Sequence, residues 1–219
     1  ARSRYAEDML ARAFAAGVRQ YVLVGAGLDT FAYRNPFAGL RVFEVDHPST
    51  QAWKRERLAS AAIPIPEHLT FAPVDFESQT LEEGLRAAGL QWDQPVFFCW
   101  LGVTYYLTLE AFQHTLGFLA ARPPGSGLVL DYIRTWERLD DPEHRALEAA
   151  AARVASMGEP FKTFFTPEQM AAQLTGLGLS GIEDLGSPGI NARYFANRTD
   201  GLRLQHWMGH VVSAWRPVG

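Results

Sequence analysis

Asp29, Asp46 and Asp75 each stand just beyond an apolar run, and these acids are the groups in the sequence best placed to do chemistry. Asp29 follows Tyr21-Val22-Leu23-Val24-Gly25-Ala26-Gly27-Leu28, Asp46 follows Val42-Phe43-Glu44-Val45, and Asp75 follows Phe71-Ala72-Pro73-Val74. A carboxylate at the end of a buried strand can accept hydrogen bonds from a ligand lying across the strand ends. Gly25-Ala26-Gly27 lets the backbone approach such a ligand closely. Asp46 lies 19 residues past Gly27, near the spacing at which an acid reaches a ribose diol. Asp75 can accept from the amino group of a base, and the ring of Phe76 can stack on it. Taken singly, each feature has a plain structural alternative: a tight turn, a strand end, a solvated helix cap. In this order and spacing they point to a nucleoside cofactor.

The neighbours of the glycines narrow the choice of cofactor. A dinucleotide fingerprint needs a third glycine three residues after the second, and Thr30 stands there. Asp29 also puts negative charge where a pyrophosphate would sit. A cationic ligand gains from that charge and an anionic one loses. S-adenosyl-L-methionine is a nucleoside without phosphates and carries a sulfonium and an ammonium, so it is favoured over NAD. An NAD-type oxidoreductase of the same fold is the alternative, and a non-catalytic binding module is a third possibility.

Transfer of a methyl group to a carboxylate needs no base at neutral pH, whereas transfer to a hydroxyl does. His47, next to Asp46, is the one histidine near the expected site. Cationic and hydroxyl groups that could clamp an acid acceptor are Arg34, Tyr105, Tyr106, Arg134, Arg193 and Tyr194, with Arg34 alternatively bracing the first helix. Phe161, Phe164 and Phe165 are candidates for an apolar wall or for plain core. His206 and His210 are four apart, but Gln205 and Trp207 flank His206 where a zinc peptidase helix would carry glutamate, so no metal is expected. There is no G-x-S-x-G elbow. Cys99 lies in an apolar run and reads as core.

The elements that must hold these groups follow from periodicity and punctuation. Residues 21–24, 41–45, 69–74, 95–100 and 128–132 read as strands, the fourth an unbroken apolar run typical of a central parallel strand. Pro73 puts the third strand at an edge. Helices are expected over 6–16, 30–33, from His47-Pro48 onward, 81–88, 109–119, 139–155 and 167–177, with Thr108 and Thr166 as caps. Strand and helix alternate at roughly 20–30-residue spacing, the mark of crossover units and a parallel sheet. Strands 182–185 and 211–215 close the chain as a terminal hairpin. The expected fold is therefore α/β: a doubly wound, mostly parallel seven-stranded sheet with its last strand antiparallel. Residues 1–219 read as a single domain, with 133–178 as a helical insertion or lid over the ligand edge.

Bulk composition excludes several function classes. The 219 residues are 47% hydrophobic and 20% charged, with net charge −4, an ordinary globular balance. That charge argues against nucleic-acid binding, since no basic excess faces the phosphates. No apolar run approaches the ~18 residues of a membrane span. No apolar segment follows Ala1-Arg2-Ser3-Arg4, so no signal peptide is expected, and a chain that opens without methionine reads as trimmed. One cysteine rules out internal disulfides and is compatible with a reducing cytoplasm. A small-molecule acceptor and a monomer or homodimer are the expected partners.

Through most of its length the chain resembles the leucine carboxyl methyltransferase-like family of class I S-adenosylmethionine-dependent methyltransferases, most specifically in three stretches. They are the run from Gly17 through Gly25-Ala26-Gly27-Leu28-Asp29-Thr30 with Tyr33-Arg34, then Val42-Phe43-Glu44-Val45-Asp46-His47-Pro48, then Val74-Asp75-Phe76. The resemblance implies carboxyl or O-methylation by a bacterial enzyme, with S-adenosyl-L-methionine held by Gly25, Ala26, Gly27, Asp29, Asp46, His47, Asp75, Phe76, Trp100 and Leu101. It also implies an arginine near the start that binds the methionine carboxylate. Arg2 and Arg4 both fit, with Arg2 preferred. Many relatives carry a glutamate at the position of Leu101, so the phosphatase-modifying activity of the family is not expected here. Relatives also carry several more helical residues before Arg2, which implies a short lid.

Overall fold

The computed structural model describes residues 1–76, 78–135, 141–156, 158, 160–205 and 208–218. Its strands are β1 (Gln20–Val24), β2 (Arg41–Asp46), β3 (Leu69–Pro73), β4 (Phe97–Trp100), β5 (Gly127–Ile133), β6 (Ser180–Leu185) and β7 (Gly209–Trp215). Its helices are α1 (Arg2–Ala15), α2 (Pro48–Ser60), α3 (Leu81–Ala87), α4 (Leu109–Ala120), α5 (Asp141–Ser156), α6 (Pro167–Gly176) and α7 (Ser187–Tyr194). The seven strands form one sheet in the order β3-β2-β1-β4-β5-β7-β6. β1 to β5 pair in parallel, and β7 runs antiparallel to both β5 and β6.

The order reverses at β1, where β2 lies to one side and β4 to the other. Carboxyl ends of strands flanking such a switch point open a crevice for a ligand. β3 is an edge strand, and Pro73 sits at its last position opposite Asp46, where a missing N–H is tolerated. Residues 20–24 and 127–133 are buried throughout, as a central parallel strand requires.

Strand alternation divides the core into two layers. Val22, Val24, Phe98, Trp100, Leu128 and Leu130 face one layer with Phe112 and Leu116 of α4 and Met170 and Leu174 of α6. Tyr21, Leu23, Phe97, Cys99 and Val129 face the other with Tyr5, Met9 and Leu10 of α1. The same alternation places Asp131 on the α1 side, two residues beyond Val129.

Two local expectations change. The turn after β1 is followed by only a three-residue 3-10 turn, Phe31–Tyr33, because Asn35-Pro36 stops the chain. β6 and β7 are antiparallel neighbours but not a tight hairpin, since α7 lies between them, anchored by fully buried Ile190. Pro188 occupies the first turn of α7, where proline is tolerated. Within the 133–178 stretch, α6 belongs to the sheet's helical layer through Met170 and Leu174. The segment 160–165 meets the loop after β4, where the Lys162 N–H donates to the Tyr105 carbonyl at 2.7 Å.

Candidate cofactor and active site

The centre of the site is the turn after β1. Gly25 and Gly27 have φ of +71° and +50°, a region that favours glycine. Gly25 carries a second constraint, because a Cβ there would overlap Val103 Cγ2 from the loop after β4. The N–H groups of Gly25 and Ala26 both donate to the Val45 carbonyl, at 2.9 and 3.0 Å. That of Gly27 donates to Asp46 Oδ2 at 2.6 Å. A phosphate cradle needs free N–H groups or a helix N-terminus. This turn has spent those three N–H groups inside the protein, and only a 3-10 turn follows it. The residues therefore fit a phosphate-free nucleoside and do not fit a dinucleotide.

Asp46 is fixed on both oxygens, since Oδ1 also accepts the N–H of His47 at 2.7 Å. Two main-chain donors hold this carboxylate at the end of β2, where a vicinal diol can reach its remaining lone pairs. His47 is exposed and acts as the N-cap of α2, its Nδ1 accepting from Ser49 N at 3.2 Å. Asp29 Oδ1 accepts the N–H of Phe31 at 2.7 Å, which fixes this carboxylate beside the turn. Arg34 pairs with Glu7 of α1 and braces that helix.

Below this turn lies a buried ion pair. Lys54 Nζ on α2 is 2.6 Å from Glu44 Oε2 and donates to the Asp29 carbonyl at 2.7 Å. Burial pushes the Glu44 carboxyl up, and the ammonium of Lys54 opposes that push. The pair ties α2, β2 and the β1 turn together.

At the other end of the crevice, Asp75 is half-buried past β3, and Phe76 is 54% exposed. A large ring left in solvent at a strand end is available to stack on a ligand. Phe76 lines a cleft of about 1020 Å³ with Gly25, Trp100, Val103, Leu107 and Phe118, between α3 and α4. Trp100 is buried and stacked on Phe112 with ring centroids 5.4 Å apart, so it forms the cleft's floor. Leu101 is half-buried and packs toward the α1 layer.

The ends of β4 and β5 hold a group that the motifs did not single out. Asp131 is 2% exposed and accepts from Arg2 Nη1 at 2.6 Å and from Gly102 N at 2.7 Å. Arg2 Nη1 also lies 3.4 Å from the Tyr105 hydroxyl. Burial pushes the Asp131 carboxyl up, while Arg2 and the Gly102 N–H hold it down. The signal in the sequence is an acid inside the run Leu128-Val129-Leu130-Asp131-Tyr132, since a buried charge requires partners. Of the two arginines near the start, the structure brings Arg2 to this edge. Arg4 points away, paired with Asp8 on the surface of α1.

Acceptor-side candidates are similarly sorted. Tyr105 and Tyr106 follow β4 with ring centroids 4.7 Å apart, and Phe161 packs on both, at 5.2 and 5.6 Å. Phe164 joins Phe161 edge-on, while Phe165 is buried against Phe112. Arg134 stands just past β5 and bridges to Phe165. Arg193 is held by Glu183 at 2.9 Å and lies over the ring of Tyr5, so it braces α7 against α1 and β6. Tyr194 donates to Asp8 on α1 at 2.7 Å and serves the same packing. His206 and Trp207 lie outside the described residues, and His210 Nδ1 is engaged by Asp184 at 2.6 Å. Among the described residues, no group of three or more metal-ligating side chains comes together and no helix is long and apolar enough to cross a membrane.

Comparison with known proteins agrees with this geometry. The family model described as leucine carboxyl methyltransferase matches residues 1–120. YktD of Bacillus subtilis, named as a candidate S-adenosyl-L-methionine-dependent methyltransferase, is 38% identical over 205 residues, 92% of this chain and 67% of YktD. A Mycobacterium sp. (strain JLS) protein with the same kind of name is 36% identical over 66% of this chain, which spans 47% of that relative. The chain thus spans 47 to 67% of the length of these relatives. The structure of a candidate methyltransferase of Thermobifida fusca aligns with TM-score 0.66 at 18% identity, covering 97% of this chain and 80% of that one. The magnesium protoporphyrin IX methyltransferase of Synechocystis, solved with S-adenosylhomocysteine, aligns at 0.56 and 14% identity, covering 97% and 82%. At such identities the structures speak for the fold alone. The switch-point site with its phosphate-free turn, the family match over more than half of the chain and the YktD identity lead to one assignment: this chain belongs to the leucine carboxyl methyltransferase family of S-adenosyl-L-methionine-dependent methyltransferases.

Proposed function

We propose that the protein is an O-methyltransferase acting on a small molecule that carries a carboxylate or a hydroxyl. The observation that carries this reading is the gathering of hydroxyl and guanidinium groups at the ends of β4 and β5. These are Tyr105 and Tyr106, in the loop after β4 whose Val103 lies against Gly25, and Arg134, directly after β5. In this reading Asp46 takes the ribose diol, Asp75 and Phe76 the adenine, and Arg2 the amino-acid carboxylate, with Trp100, Leu101 and Val103 as walls. When bound, S-adenosyl-L-methionine supplies a methyl group made electrophilic by its sulfonium. The protein's own residues then align the acceptor oxygen with that methyl and exclude water. An ionised carboxylate is already a nucleophile at neutral pH, so alignment is the whole task for an acid acceptor.

The aromatic group of Tyr105, Tyr106 and Phe161 forms the wall nearest those ends, and α5 with the 160–165 segment serves as the roof. We place residues 1–219 in a single domain acting as monomer or homodimer in the cytoplasm, a setting in line with a free buried Cys99.

The test is transfer of labelled methyl to a library of carboxylic acids, alcohols and phenols, with amines and thiols as controls. Label in a base-labile ester or an ether, lost or weakened in Tyr105→Phe and Tyr106→Phe, is the expected result. Transfer confined to nitrogen or sulfur acceptors would overturn the assignment.

A further inference from the structure

We infer that Asp131 is a positioning residue: it holds Arg2 so that the guanidinium presents its open edge to the amino-acid end of the cofactor. This rests on the S-adenosyl-L-methionine reading above and adds a residue that neither the motifs nor the comparisons single out.

Burial and geometry carry it. Asp131 lies in a strand whose every residue is buried, on the face that α1 covers. A buried carboxylate is costly unless paired and hydrogen-bonded. Its partners come from two further elements: Arg2 Nη1 of α1 at 2.6 Å and the N–H of Gly102, in the loop after β4, at 2.7 Å. Its own carbonyl accepts the hydroxyl of Thr104 from that same loop. Asp131 is thus the junction of α1, the β4 loop and β5.

Among the described residues, the side-chain partners of the guanidinium, Asp131 and Tyr105, both meet it at Nη1. The guanidinium lies against the loop at Gly102, where φ is +78° and a Cβ would come within 3.2 Å of Arg2 Nη2. Tyr105 supplies a further contact at 3.4 Å. The Arg2 side chain nonetheless stays 44% exposed, against 3% for its partner. A planar fork with several N–H donors can spend one nitrogen on a buried acid and keep others for a second carboxylate. A lysine also has three donors, but they converge on one nitrogen, so it cannot grip two carboxylates along separate edges as a planar fork does.

The experiment compares two ligands that differ only at that end. S-adenosylhomocysteine carries the amino-acid carboxylate and ammonium, and 5′-methylthioadenosine lacks both. In calorimetry with the intact chain, Asp131→Asn is expected to weaken S-adenosylhomocysteine at least tenfold while leaving 5′-methylthioadenosine within twofold of wild type. Arg2→Gln should show the same selective loss, and Arg2→Lys should show most of it. In the double variant the two losses should not add, since both remove one unit. A purely structural role for Asp131 would lower both ligands together, and that outcome overturns the inference. So does an Asp131→Asn protein that binds neither ligand, or an Arg2→Lys protein indistinguishable from wild type. Failure of the wild-type chain to bind either ligand would instead refute the cofactor assignment.

Discussion

Replacing Lys54 with methionine leaves Glu44 alone inside the protein. Both partners are buried, at 5% and 1% side-chain exposure, and Glu44 Oε1 has no hydrogen-bond partner even with Lys54 present. The substitution keeps the aliphatic volume and removes one ion pair and the hydrogen bond to the Asp29 carbonyl. Breaking a buried pair by removing one partner costs about 3–5 kcal/mol, because the remaining charge has nothing to offset its desolvation. That is a large share of the ~5–15 kcal/mol that holds a typical domain.

The loss carries a pH signature whose sign follows from Glu44. Burial already raises this carboxyl in the folded state. Without Lys54 the folded value rises further, so the folded form takes up a proton more readily than the unfolded form. Stability of the variant therefore falls as pH climbs from the unfolded value of ~4.3 through the folded one. Below that window Glu44 is neutral in both states and the penalty is small.

Urea unfolding at pH 4.5 and pH 8 measures this directly, using the midpoint and slope of each transition. The Lys54→Met deficit should be markedly smaller at pH 4.5. A Lys54→Met, Glu44→Leu double variant should recover most of the loss at pH 8, since an apolar pair of similar volume replaces a buried ion pair at little cost. An equal deficit at both pH values, or a double variant no better than the single, would refute the reasoning.

Other outcomes follow from the same geometry. Gly25→Ala forces a side chain into the left-handed region and against Val103, at a cost of about 1–3 kcal/mol. Thermal unfolding should show that loss, with Val103→Ala in the same chain relieving the steric part but not the φ strain. Asp46→Ala removes the expected diol acceptor and the anchor of the Gly27 N–H. Calorimetry should show at least a tenfold weaker S-adenosylhomocysteine, and full retention would remove Asp46 from the site. The Asp200 carboxyl is held down to about 2 by the Arg198 guanidinium and the Leu202 N–H, so its carbon-13 signal should titrate near that value. Its contribution to stability is present above the unfolded value of ~3.9 and is lost as pH falls toward 2. Arg198→Gln should return the signal to the ordinary aspartate range.

Local chemistry determined much of this protein from its sequence. Apolar runs with period two or no period made the strands. Pro73 placed β3 at an edge because proline cannot donate to a second neighbour. Thr80, Thr108 and Thr166 capped helices through their own hydroxyls. The spacing from Gly25-Ala26-Gly27 to Asp46 survived as a hydrogen bond between Gly27 and Asp46, since the two strand ends are neighbours in the sheet.

Tertiary structure decided the rest, wherever a residue's role depends on a partner far along the chain. Arg2 and Arg4 are equivalent in sequence. One meets Asp131, 129 positions away, and the other meets Asp8 a single helical turn on. Arg193 pairs with Glu183 and braces α7, whereas Arg134 stands just past β5. Asp29 stands beside the turn with its Oδ1 on the Phe31 N–H, and the N–H groups of Gly25, Ala26 and Gly27 are spent on Val45 and Asp46. Periodicity and caps are written within a few residues. The pairing of a buried charge is written only when the sheet brings its partners together.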